Sequence, residues 1–558
     1  MQRAFSGTGI RASEEPLLRA GQGPVLMQRA AHGLATEVAR LLAEQRGRVY
    51  GARIVLLAGP GNNGGDALYA AASLVRRGVR ATAVLSPAGT HEQALEAFRR
   101  AGGRTCTLAP EADAVPKADA DTGSGLTDGD GNRTYAAIPE QDWLAEAAAA
   151  DVLIDAILGT GAHGGLRAPW AAAVRALQQN AAAGKPDALV KSRAPLIVAC
   201  DLPSGVDANT GELHEPVLRA ALTVTFGAAK TGLLVPPGEG AAGRLQVIDI
   251  GLSDGLEDPV LRRLDATDLA LLLPSPGRDD QKYTRGVLGV VAGSGQYPGA
   301  AQLSCAGALA CGVGMIRYLG PESVGALIHT SSPEVVCSQG SVDENHVQAW
   351  LVGPGIGNAD GSEAKQQLQR CRDAYDSGLP MVADAGALTV FPARSSARMI
   401  PHVILTPHAG ELAQLFQRLD RDVSRTQIEA NGMRYAVEAA KLTGATVLLK
   451  GATTLVASPH GTVFSQSEGT PWLATAGSGD TLAGIIGALL AALAAQTARF
   501  SSVGIAAEDR WAAIAAAGAS LHGRAGVLAA AGGPLHATAL ATAVPEVWRN
   551  LQAPGPVI

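Results

Sequence analysis

Short branched-aliphatic runs separated by helix-like segments mark the first half of the chain: Ile54-Val55-Leu56-Leu57, Val152-Leu153-Ile154, Leu196-Ile197-Val198 and Leu222-Thr223-Val224-Thr225-Phe226. Continuous apolar runs of this length suit strands buried on both faces. Their alternation with helices predicts an α/β fold on a parallel sheet. This series ends at Val247-Ile248-Asp249-Ile250. A second opens after Asp265 with Val287-Leu288-Gly289-Val290-Val291 and runs through Leu351-Val352, Val382-Ala383, Val403-Ile404-Leu405, Thr446-Val447-Leu448-Leu449 and Thr454-Leu455-Val456. It predicts another α/β domain. Between the two series, Leu252 to Arg278 mixes acids and prolines with one apolar patch, Leu269 to Leu273. The boundary is therefore expected near residue 255, with domains over 1–255 and 256–558.

Length supports the division, since 558 residues exceed the roughly 250–300 at which a single core stops growing. Hydrophobic residues at 47% against charged residues at 17% exclude global disorder. A net charge of −6 without long single-sign runs leaves no field for gripping nucleic acid or anionic lipid. The longest apolar stretch, Ala483 to Ala495, is shorter than the roughly 18–20 residues of a bilayer span and follows a glycine-rich motif directly, so it predicts a buried helix. Cys106, Cys200, Cys305, Cys311, Cys337 and Cys371 form neither a CxxC pair nor a zinc spacing, which suits a reducing compartment. The opening MQRAFSGTGIRASEE has no signal-like apolar core, and the expected location is cytoplasmic. The polar, glycine-rich stretch 119–132 predicts an exposed loop; it lacks the terminal glutamate of an EF-hand calcium loop.

Candidate chemistry lies where strands end. Ile54 to Leu57 runs into Ala58-Gly59-Pro60-Gly61-Asn62-Asn63-Gly64-Gly65-Asp66, and Leu68, Ala71, Ala72 and Val75 then keep helical spacing. Strand, glycine loop and helix start together make a pyrophosphate candidate, because free N–H groups and the helix dipole favour an anion. A plain tight turn is the alternative, since the loop is neither GxGxxG nor a P-loop. Two further strand ends carry Asp155-Ala156-Ile157-Leu158-Gly159-Thr160-Gly161 and Asp201-Leu202-Pro203-Ser204-Gly205-Val206-Asp207.

Taken in this order, the NNGGD, DAILGTG and DLPSGVD segments resemble the NAD(P)H-hydrate epimerase domain over roughly residues 11–250. The resemblance implies a Rossmann-like domain that binds the hydrated cofactor through Asn62, Asn63, Gly64, Gly65 and Asp66, and through Gly159, Thr160, Gly161, Ala162, His163, Gly164, Gly165 and Asp201. It also implies a potassium ion on Asn63, Asp155 and Ser204, oxygen donors that suit a hard cation. A strand-end cap is the alternative for Asp155. Inverting the hydroxyl-bearing ring carbon needs a group that moves protons, and the resemblance assigns this to Asp201. Ala67 stands where the family often has glycine.

In the second series, Ala292 to Ala301 reads AGSGQYPGAA and opens a small-residue helix. Val352 to Gly357, Asp384 to Leu388, Leu405 to Glu411, Lys450 to Thr454 and Ala476 to Asp480 follow or lie near later apolar runs. This ordered set resembles the ribokinase-like superfamily, specifically the ADP- or ATP-dependent NAD(P)H-hydrate dehydratases, over roughly residues 265–550. The resemblance implies nucleotide contacts from Lys450, Gly451, Ala452, Thr453, Thr454 and Gly479, with Mg2+ accompanying the ADP or ATP. Substrate contacts are implied for Ala300, Gly355, His408 and Asp480. Asp480 at a helix start suits acceptance of a hydroxyl proton while nearby amides stabilise a transferring phosphoryl group. A satisfied loop histidine and a solvated lysine are the alternatives for His408 and Lys450. Ala409 replaces a common proline and Ser478 a common threonine.

The expected partners are hydrated NADH and NADPH and the nucleotide, in a homo-oligomer, without nucleic acid or membrane. The rival reading is a ribokinase-like small-molecule kinase whose first domain is a non-catalytic binding module. Retention of Asn63, Asp155, Asp201 and Ser204 together argues against it.

Overall fold

The computed structural model describes residues 1–108, 142–183, 194–252, 255–357, 361–391 and 398–552. The 119–132 stretch lies outside these. Backbone contacts divide the chain into two units, Ala4–Pro259, and Met1–Arg3 together with Val260–Ile558.

The Ala4–Pro259 unit contains the end of β1 (Gln2–Phe5), then β2 (Arg53–Ala58), β3 (Arg80–Leu85), β4 (Arg104–Thr107), β5 (Val152–Ala156), β6 (Leu196–Cys200), β7 (Leu222–Phe226), β8 (Ala229–Lys230) and β9 (Arg244–Ile248). Seven of these form a wholly parallel sheet in the order β4-β3-β2-β5-β6-β7-β9. Alternation along β2 shows why the run is apolar throughout. Ile54, Leu56 and Ala58 enter a core with Leu34, Leu68 and Leu74, while Val55 and Leu57 enter the opposite one with Trp143, Trp170 and Val174. A separate parallel pair sets Ala4 against Ala229 and Phe5 against Lys230.

The second unit contains β10 (Leu261–Arg263), β11 (Val287–Val291), β12 (Met315–Leu319), β13 (Val336–Ser338), β14 (Ala349–Val352), β15 (Met381–Ala383), β16 (Val403–Leu405), β17 (Thr446–Leu449), β18 (Thr454–Ala457) and β19 (Val463–Gln466). They run in the order β13-β12-β11-β14-β15-β16-β17-β18-β19-β10. Pairing is parallel from β13 to β17 and antiparallel from β17 through β19. Residues 450–453 alone join β17 to β18, too few for the crossover that a parallel neighbour requires.

The apolar stretch beginning at Ala483 lies largely in the buried helix Ser478–Leu493, as its length predicts. That helix packs closely on Pro298–Ala310. A Cβ on Gly484 would stand 2.1 Å from the Ser304 carbonyl oxygen, and one on Gly307 2.5 Å from that of Thr481. Glycine at these crossings therefore sets the depth at which the helix start reaches the sheet edge. Among the described residues no helix is long and apolar enough to cross a membrane, and all six cysteines are free.

Candidate functional site

In the Ala4–Pro259 unit the strand order reverses between β2 and β5, the place where parallel sheets open a crevice beyond their carboxyl ends. The loop after β2 turns there into the helix Asn62–Arg76. A Cβ on Gly59 would lie 2.0 Å from the Ile157 carbonyl oxygen, and one on Gly64 2.2 Å from that of Gly59, so this turn admits no side chain at either position. The resulting cleft has a volume of about 980 Å3 and is lined by Asn62, Asn63, Asp66, Gly159, Thr160, Gly161, Ala162 and Asp201 among others. That is near the upper end of the roughly 300–1,000 Å3 typical of small-molecule sites.

Asp201 holds a left-handed backbone conformation, φ 68°, uncommon for a residue with a side chain. Four donors fix its carboxylate. Thr160 gives its backbone N–H at 2.9 Å and its hydroxyl at 2.5 Å to Oδ2. Lys230 Nζ and the Thr225 hydroxyl reach Oδ1 at 2.5 and 3.2 Å. Lys230 is 2% exposed and spends its other protons on the Thr225 hydroxyl oxygen and the Phe226 carbonyl. Burial alone would raise the Asp201 carboxyl; the Lys230 charge and the Thr160 hydrogen bonds outweigh it and hold the group below its ordinary value.

Asp66 has the opposite environment. Burial, then the charges of Asp201 and Glu14, push its carboxyl well above the ordinary range, with only Lys230 opposing. Glu14 is raised too, chiefly by burial. Beneath the cleft, fully buried Asp155 accepts the Ser204 N–H at 2.8 Å and hydroxyl at 2.6 Å. Burial raises Asp155, and these bonds from Ser204 restrain the rise. Asn63 Nδ2 donates to the Leu158 carbonyl at 2.9 Å, whereas Asn63 Oδ1 is buried without a donor. His163, Gly164 and Gly165 do not line the cleft; Gly165 instead packs on His214.

In the Val260–Ile558 part, strand order reverses between β11 and β14, and the turns beyond those two strands interlock. Gly293 N–H donates to the Pro354 carbonyl at 2.7 Å and the Ser294 hydroxyl to that of Gly355 at 2.8 Å. A Cβ on Gly355 would stand 2.6 Å from that of Ala300, which brings these two predicted residues together. Farther along the sheet edge, Lys450 Nζ donates to Asp384 Oδ1 at 2.8 Å and lies 3.5 Å from Glu411 Oε2. His408 caps the helix Ala409–Arg418: its Nδ1 accepts the N–H groups of Gly410 and Glu411, and Glu411 accepts that of His408. A backbone bridge pairs His408 with Lys450.

Gly479 completes this cluster, since a Cβ there would be 3.8 Å from Lys450 Nζ. Burial, reinforced by Asp384 and opposed by Lys450, lifts Asp480 to about 6. Below the helix start, His522 Nε2 lies 3.1 Å from the Ser478 hydroxyl, and burial pushes this imidazole down to about 4. It therefore packs neutral. Gly451 and Ala452 are exposed, Thr453 is buried, and the Thr454 hydroxyl reaches the Gly451 carbonyl at 3.4 Å.

Two family models match the chain in succession: "YjeF-related protein N-terminus" over residues 23–232 and "NAD(P)H-hydrate dehydratase" over 288–546. The bifunctional NAD(P)H-hydrate repair enzyme Nnr of Mycobacterium tuberculosis is 40% identical over 88% of this chain and 89% of its own length. The chain belongs to the bifunctional NAD(P)H-hydrate repair enzymes. The Mycobacterium leprae relative of that name is 39% identical over 88% of this chain and 90% of its own. A crystallised ADP/ATP-dependent NAD(P)H-hydrate dehydratase from Bacillus subtilis is 28% identical, with a TM-score of 0.43 over 52% of this chain and 98% of that one.

In this member of the repair-enzyme family, four side chains escaped the sequence reading. Lys230 is the buried partner of Asp201, Asp384 and Glu411 hold Lys450, and His522 braces the turn that carries Asp480. Asp384 and Glu411 stood inside motifs already singled out, and their acidic character beside a strand-end lysine was a usable signal. Lys230 offered only a lysine among small residues after β7, and His522 a histidine inside an apolar helix.

Proposed function

We propose that this chain repairs hydrated nicotinamide cofactor in two steps. The Ala4–Pro259 unit interconverts the R and S forms of hydrated NADH or NADPH. The second unit dehydrates the S form with ADP or ATP, releasing AMP or ADP and phosphate. The carrying observation is that one chain, alike over 88% of its length to bifunctional repair enzymes, holds Asp201 in the cleft of its first unit and Asp480, lifted to about 6, in the first turn of the helix Ser478–Leu493 of its second.

In the first crevice Asp201, kept ionised by Lys230, is the base that moves a proton during inversion of the hydroxyl-bearing ring carbon, and the loop Asn62 to Asp66 holds the cofactor. Asn63, Asp155 and Ser204 fit a potassium ion in donor chemistry: all are hard oxygen ligands, and Asn63 Oδ1 is an orphaned buried acceptor. The ion would supply fixed positive charge beneath the cleft.

In the second, Asp480 accepts the proton of the substrate hydroxyl as that oxygen attacks the terminal phosphoryl group. Lys450, aimed by Asp384 and Glu411, and the amides at the start of the helix Ser478–Leu493 stabilise the transferring charge. Mg2+ bound with the nucleotide would neutralise its phosphates. His408, Ala300 and Gly355 face the hydrated ring.

The test is recovery of reduced-nicotinamide absorbance from mixed-epimer NADH hydrate with ADP, with ATP and without nucleotide, in potassium buffer. Nucleotide-dependent recovery of both epimers is expected. Recovery of one epimer alone would reduce the first unit to a binding module, and no recovery would favour a kinase releasing a stable phosphorylated product. Because Asp480 works only when ionised, kcat/KM for dehydration should fall roughly tenfold per pH unit below ~6 and level off above. A flat profile from pH 5 to 8 would remove Asp480 as the base.

A further inference from the structure

Four buried carboxyl groups are described in the Ala4–Pro259 unit, and three have partners. Glu37 meets Arg40, Asp155 meets Ser204, and Asp201 meets Lys230 and Thr160. Asp66 is the exception. It is 9% exposed, and its Oδ1 is sealed from solvent with no hydrogen-bond donor. An ionised carboxyl so placed is costly, and the group relieves that cost by keeping its proton. Asp66 nevertheless lines the same cleft as Asp201, approaching from the helix Asn62–Arg76 while Asp201 comes from the turn after β6. Glu14, Arg11 and Lys230 act on this pair, and Arg76, His32 and His91 also line the cleft.

We propose that Asp66 is the second acid–base group of this cleft and works opposite Asp201 on the ring carbon that bears the hydroxyl. The inference rests on reading the cleft as the epimerase site. In the route we assign, inversion at the carbon that bears the hydroxyl beside the ring nitrogen runs through loss and return of water, and the ring stays closed. Protonated Asp66 gives its proton to the hydroxyl, and the C–O bond breaks with its electron pair leaving on water. The nitrogen lone pair fills the vacated carbon. Water then forms a new C–O bond on the other face and loses a proton to ionised Asp201. Asp66 ends ionised and Asp201 protonated, the state that runs the reverse inversion, and exchange with solvent resets both. The contrast between a carboxyl that charge partners keep ionised and one that burial keeps neutral is the usual mark of such an acid and base pair.

The experiment uses the full chain, mixed-epimer NADH hydrate, ADP and potassium, and follows the fast phase (S form) and the slow phase (R form) of recovery. Asp66→Asn is expected to lower kcat of the slow phase about 100-fold or more and leave the fast phase unchanged. Asp66→Glu, which retains a carboxyl, should recover part of the loss. In water enriched in 18O, the unsubstituted chain should place one solvent oxygen on the ring carbon per inversion, above the spontaneous rate. A raised KM with kcat within about threefold would make Asp66 a binding group and overturn the proposal, as would retention of the original oxygen. Retention of the original oxygen would overturn the proposal even if the asparagine variant does not fold, and the glutamate variant then carries the assignment to Asp66. An unsubstituted chain that dehydrates the S form but never converts the R form would overturn the epimerase reading itself, and this inference with it.

Discussion

Replacing Asp480 by asparagine is expected to cost dehydration about 10³-fold or more while epimerisation proceeds at the parental rate. Asp480 sits in the first turn of the helix Ser478–Leu493, within the field of Lys450 and Asp384, and is lifted to about 6. A base with that value is largely ionised at neutral pH yet still strong enough to take a hydroxyl proton as the oxygen is phosphorylated. Asparagine keeps the size and the helix start but accepts no proton. Because the proton-moving group of the other unit is untouched, R and S forms should still equilibrate, a result that chiral separation of the hydrates would read directly. A variant that still dehydrates at more than about a tenth of the parental rate would sink the assigned role.

The parts of this architecture that the sequence announced are those where local chemistry and global burial agree. β2, β5 and β6 carry apolar runs covered on both faces, β7 alternates apolar residues with the buried threonines Thr223 and Thr225, and each glycine or aspartate that follows a run marks a strand end. β3 and β4 were silent for a physical reason. Thr82, buried in β3 and satisfied by Glu146, lies between Ala81 and Ala83, which leaves only Val84 and Leu85 as a branched-aliphatic run, and β4 (RTCT) has none. β1 and β8 are too short to leave a period. The cleft followed the same division. Asp201 was visible at a strand end, but the backbone pairing that lays Phe5 beside Lys230, and the side chains of Arg11 and Glu14 at the cleft, come from a distant segment that no local pattern connects to it.

Fusion of the two activities also acquires a physical rationale. The substrate site proposed at Ala300 and Gly355, where a Cβ on Gly355 would stand 2.6 Å from that of Ala300, should discriminate sharply between epimers at one carbon, and only interconversion makes the rejected form available to it.

The Lys230–Asp201 pair yields the second large expectation. Lys230→Met should destabilise the Ala4–Pro259 unit by about 3 kcal/mol and slow epimerisation about 100-fold, with dehydration of the S form spared. Methionine fills the apolar stem of the lysine but removes the only cation within hydrogen-bonding reach of Asp201 among the described residues. The carboxylate then keeps its burial and loses the charge that offset it, so it takes up a proton and ceases to be a base. That uptake also caps the stability loss, which is why the lower end of the usual range for a broken buried pair applies. For a unit of this size the loss corresponds to a Tm drop on the order of 6–12 °C. Adding Asp201→Asn removes the orphaned carboxyl as well. The double variant should therefore be more stable than the sum of the single losses predicts, while its epimerase activity stays absent. Thermal melts of the four proteins, read with the slow phase of cofactor recovery, separate the two roles. Stability without activity in the double variant would show that the pair exists to hold Asp201 ionised. Strict additivity would mean that Lys230 supports the fold independently of the carboxylate.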